Sequence, residues 1–245
     1  MNDPRRCLSV AVPCFNEAGT VAALVERVLA SPWTAEVVVV DDGSTDGTAK
    51  VLADLDHPRL IVVTHPHNRG KGAALRSAFR VVTGEYVVVQ DADLEYDPQE
   101  YDVLLGPLER GVADVVFGSR FLSGRPHRVL YFWHSLGNRT LTLLSNMFTD
   151  LNLTDMESCY KCFRHEVLDS LTLREDRFGV EPELTAKVAG GGWRIYEVGI
   201  SYSGRTYAEG KKVGWRDGLW AAVCIVRYSP ALRRLGRKFR RHQPG

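Results

Sequence analysis

The chain lacks several features that would assign it quickly. Five cysteines (Cys7, Cys14, Cys159, Cys162, Cys224) form an odd, scattered set, unlike a secreted disulfide framework. The longest strongly apolar run, Leu219 to Val226, falls far short of the roughly 20 residues of a membrane span. The N-terminal Met1-Asn-Asp-Pro-Arg-Arg enters an alternating strand pattern without a secretory apolar core, so the sequence predicts a cytosolic chain. No Gly-x-Gly-x-x-Gly follows the first strand, and Gly204 to Lys211 has the wrong spacing for a phosphate-cradling loop. Acid is missing from Arg227 onward, where seven Lys or Arg occur. Removing those seven from the 31 cations leaves 24 against 30 acids, so residues 1–226 carry −6 under a net charge of +1. An acidic body with a basic tail (Arg227, Arg233, Arg234, Arg237, Lys238, Arg240, Arg241) points to an anionic surface as partner. The tail lacks the interleaved aromatics of a nucleic-acid groove, and no nucleic acid is expected.

What is present is ordinary globular material: 245 residues, 44% hydrophobic and 25% charged. The first half alternates short apolar strands with helical patterns. Strands are predicted at 8–12, 37–40, 60–64, 86–90 and 114–118, and helices at 17–30, 45–55, 72–82 and 98–110. Val37 to Val40 is a continuous β-branched run, as expected of a strand covered on both faces. Such alternation predicts an α/β fold with a mainly parallel central sheet flanked by helices. The rhythm then changes to a long helical pattern at 131–148, short helices at 165–171 and 182–189, and a strand at 193–198. An amphipathic helix is predicted at 217–228, with Leu219, Trp220, Val223 and Val226 either packed on the core or offered to a membrane interface.

Open parallel sheets bind ligands at the carboxyl ends of their strands. Polar, glycine-rich or acidic clusters follow all five predicted strands: Pro13 to Glu17, Asp41 to Gly47, Asn68 to Gly72, Asp91 to Glu95 and Gly118 to Phe121. Asp91-x-Asp93 at a strand end suits a divalent ion that keeps positions for substrate phosphates, with Glu95 able to add a third oxygen. Asp41-Asp42-Gly43-Ser44 reads either as a helix start or as a carboxylate meeting a nucleobase or ribose. Cys159-x-x-Cys162 has no second pair and reads as two buried apolar side chains rather than a zinc site. Glu181 and Glu183 read equally as first-turn helix acids or as groups facing an acceptor. His65, His67 and His134 lie near these segments and read as surface or core residues.

The ordered set Val12-Pro-Cys-Phe-Asn-Glu17, Val40-Asp-Asp-Gly-Ser-Thr-Asp-Gly47, Asn68-Arg-Gly-Lys-Gly72, Gln90-Asp-Ala-Asp-Leu94 and Gly118-Ser-Arg-Phe121 resembles family 2 glycosyltransferases of the GT-A fold. Within them it is similar to the dolichol-phosphate mannosyltransferase group of polyprenyl-phosphate glycosyltransferases. The resemblance continues through Gly137-Asn138, Asp155 to Arg164, Glu181-Pro-Glu183, Glu197 to Ser201 and Arg205 to Lys211. It implies a GT-A (nucleotide-diphospho-sugar transferase) domain over residues 1–215, with the amphipathic helix and basic tail in 216–245. It implies donor contacts from Pro13, Phe15, Glu17, Val40, Asp42, Lys71, Asp91 and Ala92. Metal contacts to Mg²⁺ or Mn²⁺ fall on Asp91, Asp93 and Glu95, and acceptor contacts on Arg120, Arg128 and Glu183. The resemblance assigns the reaction to Asp93, Arg120, Arg205 and Lys211. Many relatives have Gln where this chain has Glu95, and the stretch Arg128 to Ser135 departs from their usual register.

The activity implied is metal-dependent, inverting transfer of a sugar from a nucleotide sugar of the GDP-mannose or UDP-glucose type to a polyprenyl phosphate at the cytoplasmic membrane face. A phosphate acceptor is already ionised near pH 7 and needs no strong general base, which agrees with the lack of a Ser/His/Asp arrangement. The rivals are transfer to a soluble or protein-borne hydroxyl, and a nucleotide-sugar-binding scaffold without turnover.

Overall fold

A computed structural model describes residues 6–122, 128–129, 131–204 and 214–232, and of residue 215 the backbone alone. Seven strands form one sheet: β1 (Leu8–Cys14), β2 (Thr34–Asp41), β3 (Leu60–Thr64), β4 (Tyr86–Val89), β5 (Val115–Ser119), β6 (Lys161–Arg164) and β7 (Ile195–Gly199). Their order is β3-β2-β1-β4-β6-β5-β7. Every pairing is parallel except the two made by β6, which runs antiparallel to β4 and β5. Val37 to Val40 are fully buried, so the β-branched run sits in the middle of the core as its composition requires.

The helices are α1 (Val21–Ala30), α2 (Thr48–Ala53), α3 (Lys71–Phe79), α4 (Tyr101–Glu109), α5 (Phe132–Thr149), α6 (His165–Ser170), α7 (Val180–Gly191) and α8 (Trp215–Tyr228), with a 3-10 turn at Pro98–Glu100 before α4. Helix α1 starts at Val21 rather than at the predicted 17 because residues 17–20 form a turn, with the Thr20 hydroxyl donating to the Glu17 carboxylate at 2.7 Å. Helix α2 shrinks to six residues because Asp46 accepts from the Thr48 amide and hydroxyl, so 42–47 remain loop. Asp97 accepts from the Gln99 amide at 3.0 Å and sets the 3-10 turn where a continuous helix was predicted.

Two features of the sheet position the site. Strands β1, β2 and β3 end level: Cys14 pairs with Asp41 and Asp41 with Thr64, so their three following loops lie side by side. The chain then crosses to place β4 on the other side of β1, and the loops after β1 and β4 flank that switch point. Strand β6 contributes from the opposite direction. Because it is antiparallel, with Val88 opposite Cys162, its preceding loop reaches the same edge as the ends of β4 and β5.

Helix α8 belongs to the same body: Ala221, Cys224, Ile225 and Tyr228 are buried. Leu219, Val223 and Val226 are exposed, so the reading that they pack on the core is wrong. Among the described residues no helix is long and apolar enough to cross a membrane.

Candidate active site

The strand-end loops build one charged cluster. Lys71, the first residue of α3, lies 2.9 Å from Asp91 after β4 and 2.9 Å from Glu181 in the first turn of α7. Burial opposes its charge, but Asp91 and Glu181 more than offset that, and its pKa stands well above the ordinary lysine value. Asp91 stays partly open to solvent. Ala92 is buried beneath it. Leu94 adopts a left-handed φ of 62°, a cost of about 1–2 kcal/mol for a branched side chain, and so marks a strained turn at the Asp91–Glu95 loop. The loop is shored up from inside: Gln90 accepts from the Tyr101 hydroxyl at 2.9 Å and the Tyr160 hydroxyl at 2.7 Å, and donates to the Asp91 carbonyl at 3.1 Å. Tyr96 stacks on Tyr160 with ring centroids 4.7 Å apart.

Arg120, just after β5, forms the second cation. Its Nε and Nη2 donate to the two oxygens of fully buried Asp155 at 2.6 and 2.7 Å, and Nη2 also donates to Asn138 of α5 at 3.1 Å. The guanidinium lies 5.1 Å over the Tyr202 ring. Burial works against the charge, while Tyr96 and Asp155 raise its pKa well above the usual range. Arg128 joins this neighbourhood through its amide on the Tyr202 carbonyl and its guanidinium on the Gly204 carbonyl, both at 2.9 Å. The turn carrying Asp155 is held by Glu197, which accepts from the Thr154 and Asp155 amides.

The loops after β1 and β2 interlock. Pro13 lies inside the β1 ladder opposite Val40 rather than ending the strand, Phe15 is half-buried, and the amide of buried Glu17 donates to the Thr48 hydroxyl at 2.9 Å. Asn16, at a left-handed φ of 52°, accepts from the Thr45 amide at 2.8 Å. Gly43 has φ 70°, and a Cβ there would stand 2.5 Å from the His67 carbonyl carbon, so only glycine lets the β2 loop lie on the β3 loop.

Four of the residues expected as contacts have the following surroundings. Val40 is fully buried in the sheet, so its side chain is core and does not reach the cleft. Asp42 is buried and already serves protein donors: the Arg69 amide at 3.0 Å, the Gly70 amide at 2.6 Å and His65 Nδ1 at 2.6 Å. It therefore shapes the loop that delivers Lys71. Glu183 is fully buried, accepting from the Arg174 and Glu175 amides at 2.9 and 2.8 Å and pairing with Lys187 at 2.5 Å, so it orders 174–175 and does not face an acceptor. Glu95 turns to Tyr202, whose hydroxyl donates to it at 2.7 Å. Asp93 accepts from the Glu95 amide at 3.2 Å. Arg205 and Lys211 lie outside the described residues, as does the tail from 233.

Among the described residues no three His, Cys, Asp or Glu side chains gather as a ready-made metal cage. The donor chemistry at Asp91 and Asp93 still fits a hard cation, since Mg²⁺ takes one or two carboxylates and completes its octahedron with substrate phosphates and water. Cys159 and Cys162 are both buried, as expected of apolar fillers, and all five cysteines are free thiols.

What the sequence does not show at these positions is their partners. His65 is buried, donates to Asp42 and meets the Ser77 hydroxyl at 2.8 Å through Nε2. Glu157 carries an unpartnered buried Oε1, and Glu181 an unpartnered Oε2. Burial first, then the Glu181 charge, push the Glu157 carboxyl up from 4.5 to about 8. A folded-state pKa above the unfolded one stabilises below the unfolded value, and that contribution disappears as pH rises through about 8. Glu157→Gln is therefore expected to melt higher than wild type at pH 8.5 and near it at pH 4. A gain of about 1 kcal/mol corresponds to about 2–4 °C at this chain size. Scanning calorimetry at the two pH values checks this, and equal midpoints at pH 8.5 would refute it.

Residues 9–172 match the Glycosyl transferase family 2 description. The chain belongs to glycosyltransferase family 2. A low-salt glycan biosynthesis hexosyltransferase of Haloferax volcanii is 30% identical over 217 residues, covering 85% of this chain and 51% of its own. A second glycosyltransferase of that organism is 30% identical over 194 residues, 79% of this chain and 62% of its own. The family 2 chain thus spans between half and two thirds of these two relatives. The polyprenol monophosphomannose synthase of Mycolicibacterium smegmatis is 29% identical over 220 residues, 86% of this chain and 83% of its own. The GT-A fold expectation holds: glucosyl-3-phosphoglycerate synthase from Mycobacterium tuberculosis, solved with Mn²⁺, UDP and glucosyl-3-phosphoglycerate, superposes with a TM-score of 0.71 at 22% identity, covering 91% of this chain and 80% of that one.

Proposed function

We propose that this family 2 protein is a metal-dependent, inverting glycosyltransferase that moves a hexose from a nucleoside-diphosphate sugar to a polyprenyl phosphate at the cytoplasmic membrane face. The observation that carries the reading is the double use of α5. Its inner side places Asn138 on Arg120, while Phe132 and Trp133 at its start are 69 and 76% exposed and Leu143 and Met147 continue the outward apolar face. Helix α8, which packs against α5, exposes Leu219, Trp220, Val223 and Val226 as further apolar surface. A cation pocket beside an apolar, aromatic face suits an acceptor with a phosphate head and a hydrocarbon tail.

In this reading the Asp91–Glu95 loop and Lys71 face the donor diphosphate, and Arg120 and Arg128 face the acceptor phosphate. Asp91 and Asp93 would hold a divalent ion, which would supply positive charge to the nucleoside-diphosphate leaving group. The acceptor oxygen attacks the anomeric carbon from the face opposite the leaving group, so the new bond forms as the sugar–diphosphate bond breaks, with inversion. The acceptor oxygen is already anionic near neutral pH, so no side chain has to take a proton. Arg205 and Lys211 belong to the same cationic set by resemblance to the family.

Relatives differ in the sugar their names specify, so the first experiment is a panel of nucleotide sugars with Mn²⁺ or Mg²⁺, read as thermal stabilisation. A ligand at 100 times its Kd adds about 2.7 kcal/mol. The cognate donor is then supplied with a polyprenyl phosphate. Labelled sugar partitioning into organic solvent supports the reading, whereas product in water alone supports a hydroxyl acceptor.

Membrane contact has its own test. Each Lys or Arg near an anionic leaflet contributes about 1 kcal/mol, so the basic tail beyond α8 reinforces the apolar face. The full chain is expected to sediment with anionic vesicles, to be released by salt on the order of 0.5 M, and to bind less after truncation at Val226. Equal sedimentation with neutral and anionic vesicles would discard the electrostatic part.

A further inference from the structure

Glu175, between α6 and α7, is 7% exposed and carries no sequence motif. Its side chain is committed to α8. Trp220 Nε1 donates to Oε2 at 2.9 Å, the Tyr228 hydroxyl to Oε1 at 2.6 Å, and Arg227 stands 3.4 Å from Oε1. Burial alone would raise its pKa, but the Tyr228, Trp220 and Cys224 donors and the Arg227 charge hold it below the ordinary carboxylate value.

The backbone of the same segment faces the other way, onto the start of α3. The Glu175 carbonyl accepts from Arg76 at 2.6 Å, and the Asp176 carbonyl accepts from the Ala73 amide at 3.1 Å. Arg76 also pairs with the Asp176 carboxylate. A Cβ added to Gly70 or Gly72 would collide with the Asp176 or Glu175 carbonyl, so these two glycines rest directly on that backbone. Between them stands Lys71, whose ammonium meets Asp91 and Glu181. From below, Glu183 accepts from the Arg174 and Glu175 amides and limits how the segment can shift.

We propose that Glu175 is a positioning residue for the donor site: by clasping α8 it sets the height of the 175–176 backbone, and through the resting glycines it sets where Lys71 meets Asp91. This rests on the reading of Lys71 and Asp91 as the donor-diphosphate end of a glycosyltransferase site. A close-packed interior passes such a displacement on because there is no void to absorb it. The groups act in series, so removing the last should make the first irrelevant.

The test is a double-mutant cycle read as nucleotide affinity. The Kd of UDP and of GDP, each with Mn²⁺, is measured by calorimetry for wild type, Glu175→Gln, Lys71→Met and the double variant, well below each melting point. Glu175→Gln is expected to weaken whichever nucleotide binds by about 5-fold or more, within the range seen for coupled neighbours. In the Lys71→Met background the same substitution should change Kd by less than about 2-fold. Should Glu175→Gln fail to fold, Trp220→Phe and Tyr228→Phe each remove one donor, keep the carboxylate, and enter the same cycle. A lowered melting point with unchanged Kd would overturn the proposal and leave Glu175 a purely structural clasp. An effect of equal size in both backgrounds would overturn it too, since the influence would then bypass Lys71. If wild type binds neither nucleotide, the glycosyltransferase reading of the site fails and the positioning role falls with it.

Discussion

Asp93→Asn is expected to lower turnover by about 10²–10³-fold, the loss typical when one charge-stabilising group is removed from a transition state. The melting point should barely move, because Asp93 sits on a half-open strand-end loop and Asn keeps its size. Asp91→Asn should cost as much activity and slightly more stability, since Lys71 loses one of its two acidic partners and keeps only Glu181. Steady-state rates with Mn²⁺ or Mg²⁺, before and after EDTA, check both variants against the wild type. Turnover that survives EDTA unchanged would remove the metal from the mechanism. A variant that loses activity and its melting transition together would show that the carboxylate holds the loop rather than serving the reaction.

Arg120→Met should have the largest effect on stability. The guanidinium is a bidentate partner of fully buried Asp155, and removing one side of a buried pair leaves an uncompensated charge at about 3–5 kcal/mol. At about 2–4 °C per kcal/mol this is a fall of about 6–20 °C in the melting point. The double variant Arg120→Met/Asp155→Asn is expected to recover most of that fall, because the orphaned charge is gone, yet to remain inactive. Calorimetry and turnover measured side by side separate the two roles. Recovered activity in the double variant would mean that Arg120 serves only to neutralise Asp155.

Much of this molecule is legible along the chain. The valine run at 37–40 announces a strand covered on both faces, the strand–helix alternation announces a parallel sheet, and that sheet type places ligands at carboxyl ends, where Asp91-x-Asp93 and Lys71 stand. These signals are local: periodicity, turn residues and spacing each concern neighbours within a turn or a strand. Strand β6 carried no such signal. Lys161 to Arg164 is four residues long, and its direction depends on the gap between β4 and β5 rather than on its own composition. That antiparallel insertion brings Asp155, Glu157 and Cys159 to the ligand edge.

The tertiary structure likewise decided which acids are spent on holding the fold. Asp42 and Glu183 look like ligand contacts in a motif, yet Asp42 accepts from backbone amides about 28 residues on and Glu183 from the segment just before its own helix, whereas Glu181 reaches Lys71 from 110 residues away. Helix α8 shows the same division. Its amphipathic pattern is plain in the sequence, but which face is buried follows from the partners: Glu175 draws Trp220 Nε1 and Tyr228 inward from one side and leaves Leu219, Val223 and Val226 facing out. The sequence by itself determined most element types, the sheet class and the strand ends where the polar clusters stand, because these depend on backbone sterics and side-chain period. Only the tertiary structure decided which carboxylates are consumed in building the site, because a buried charge must find its donors wherever folding brings them, however far apart they lie along the chain.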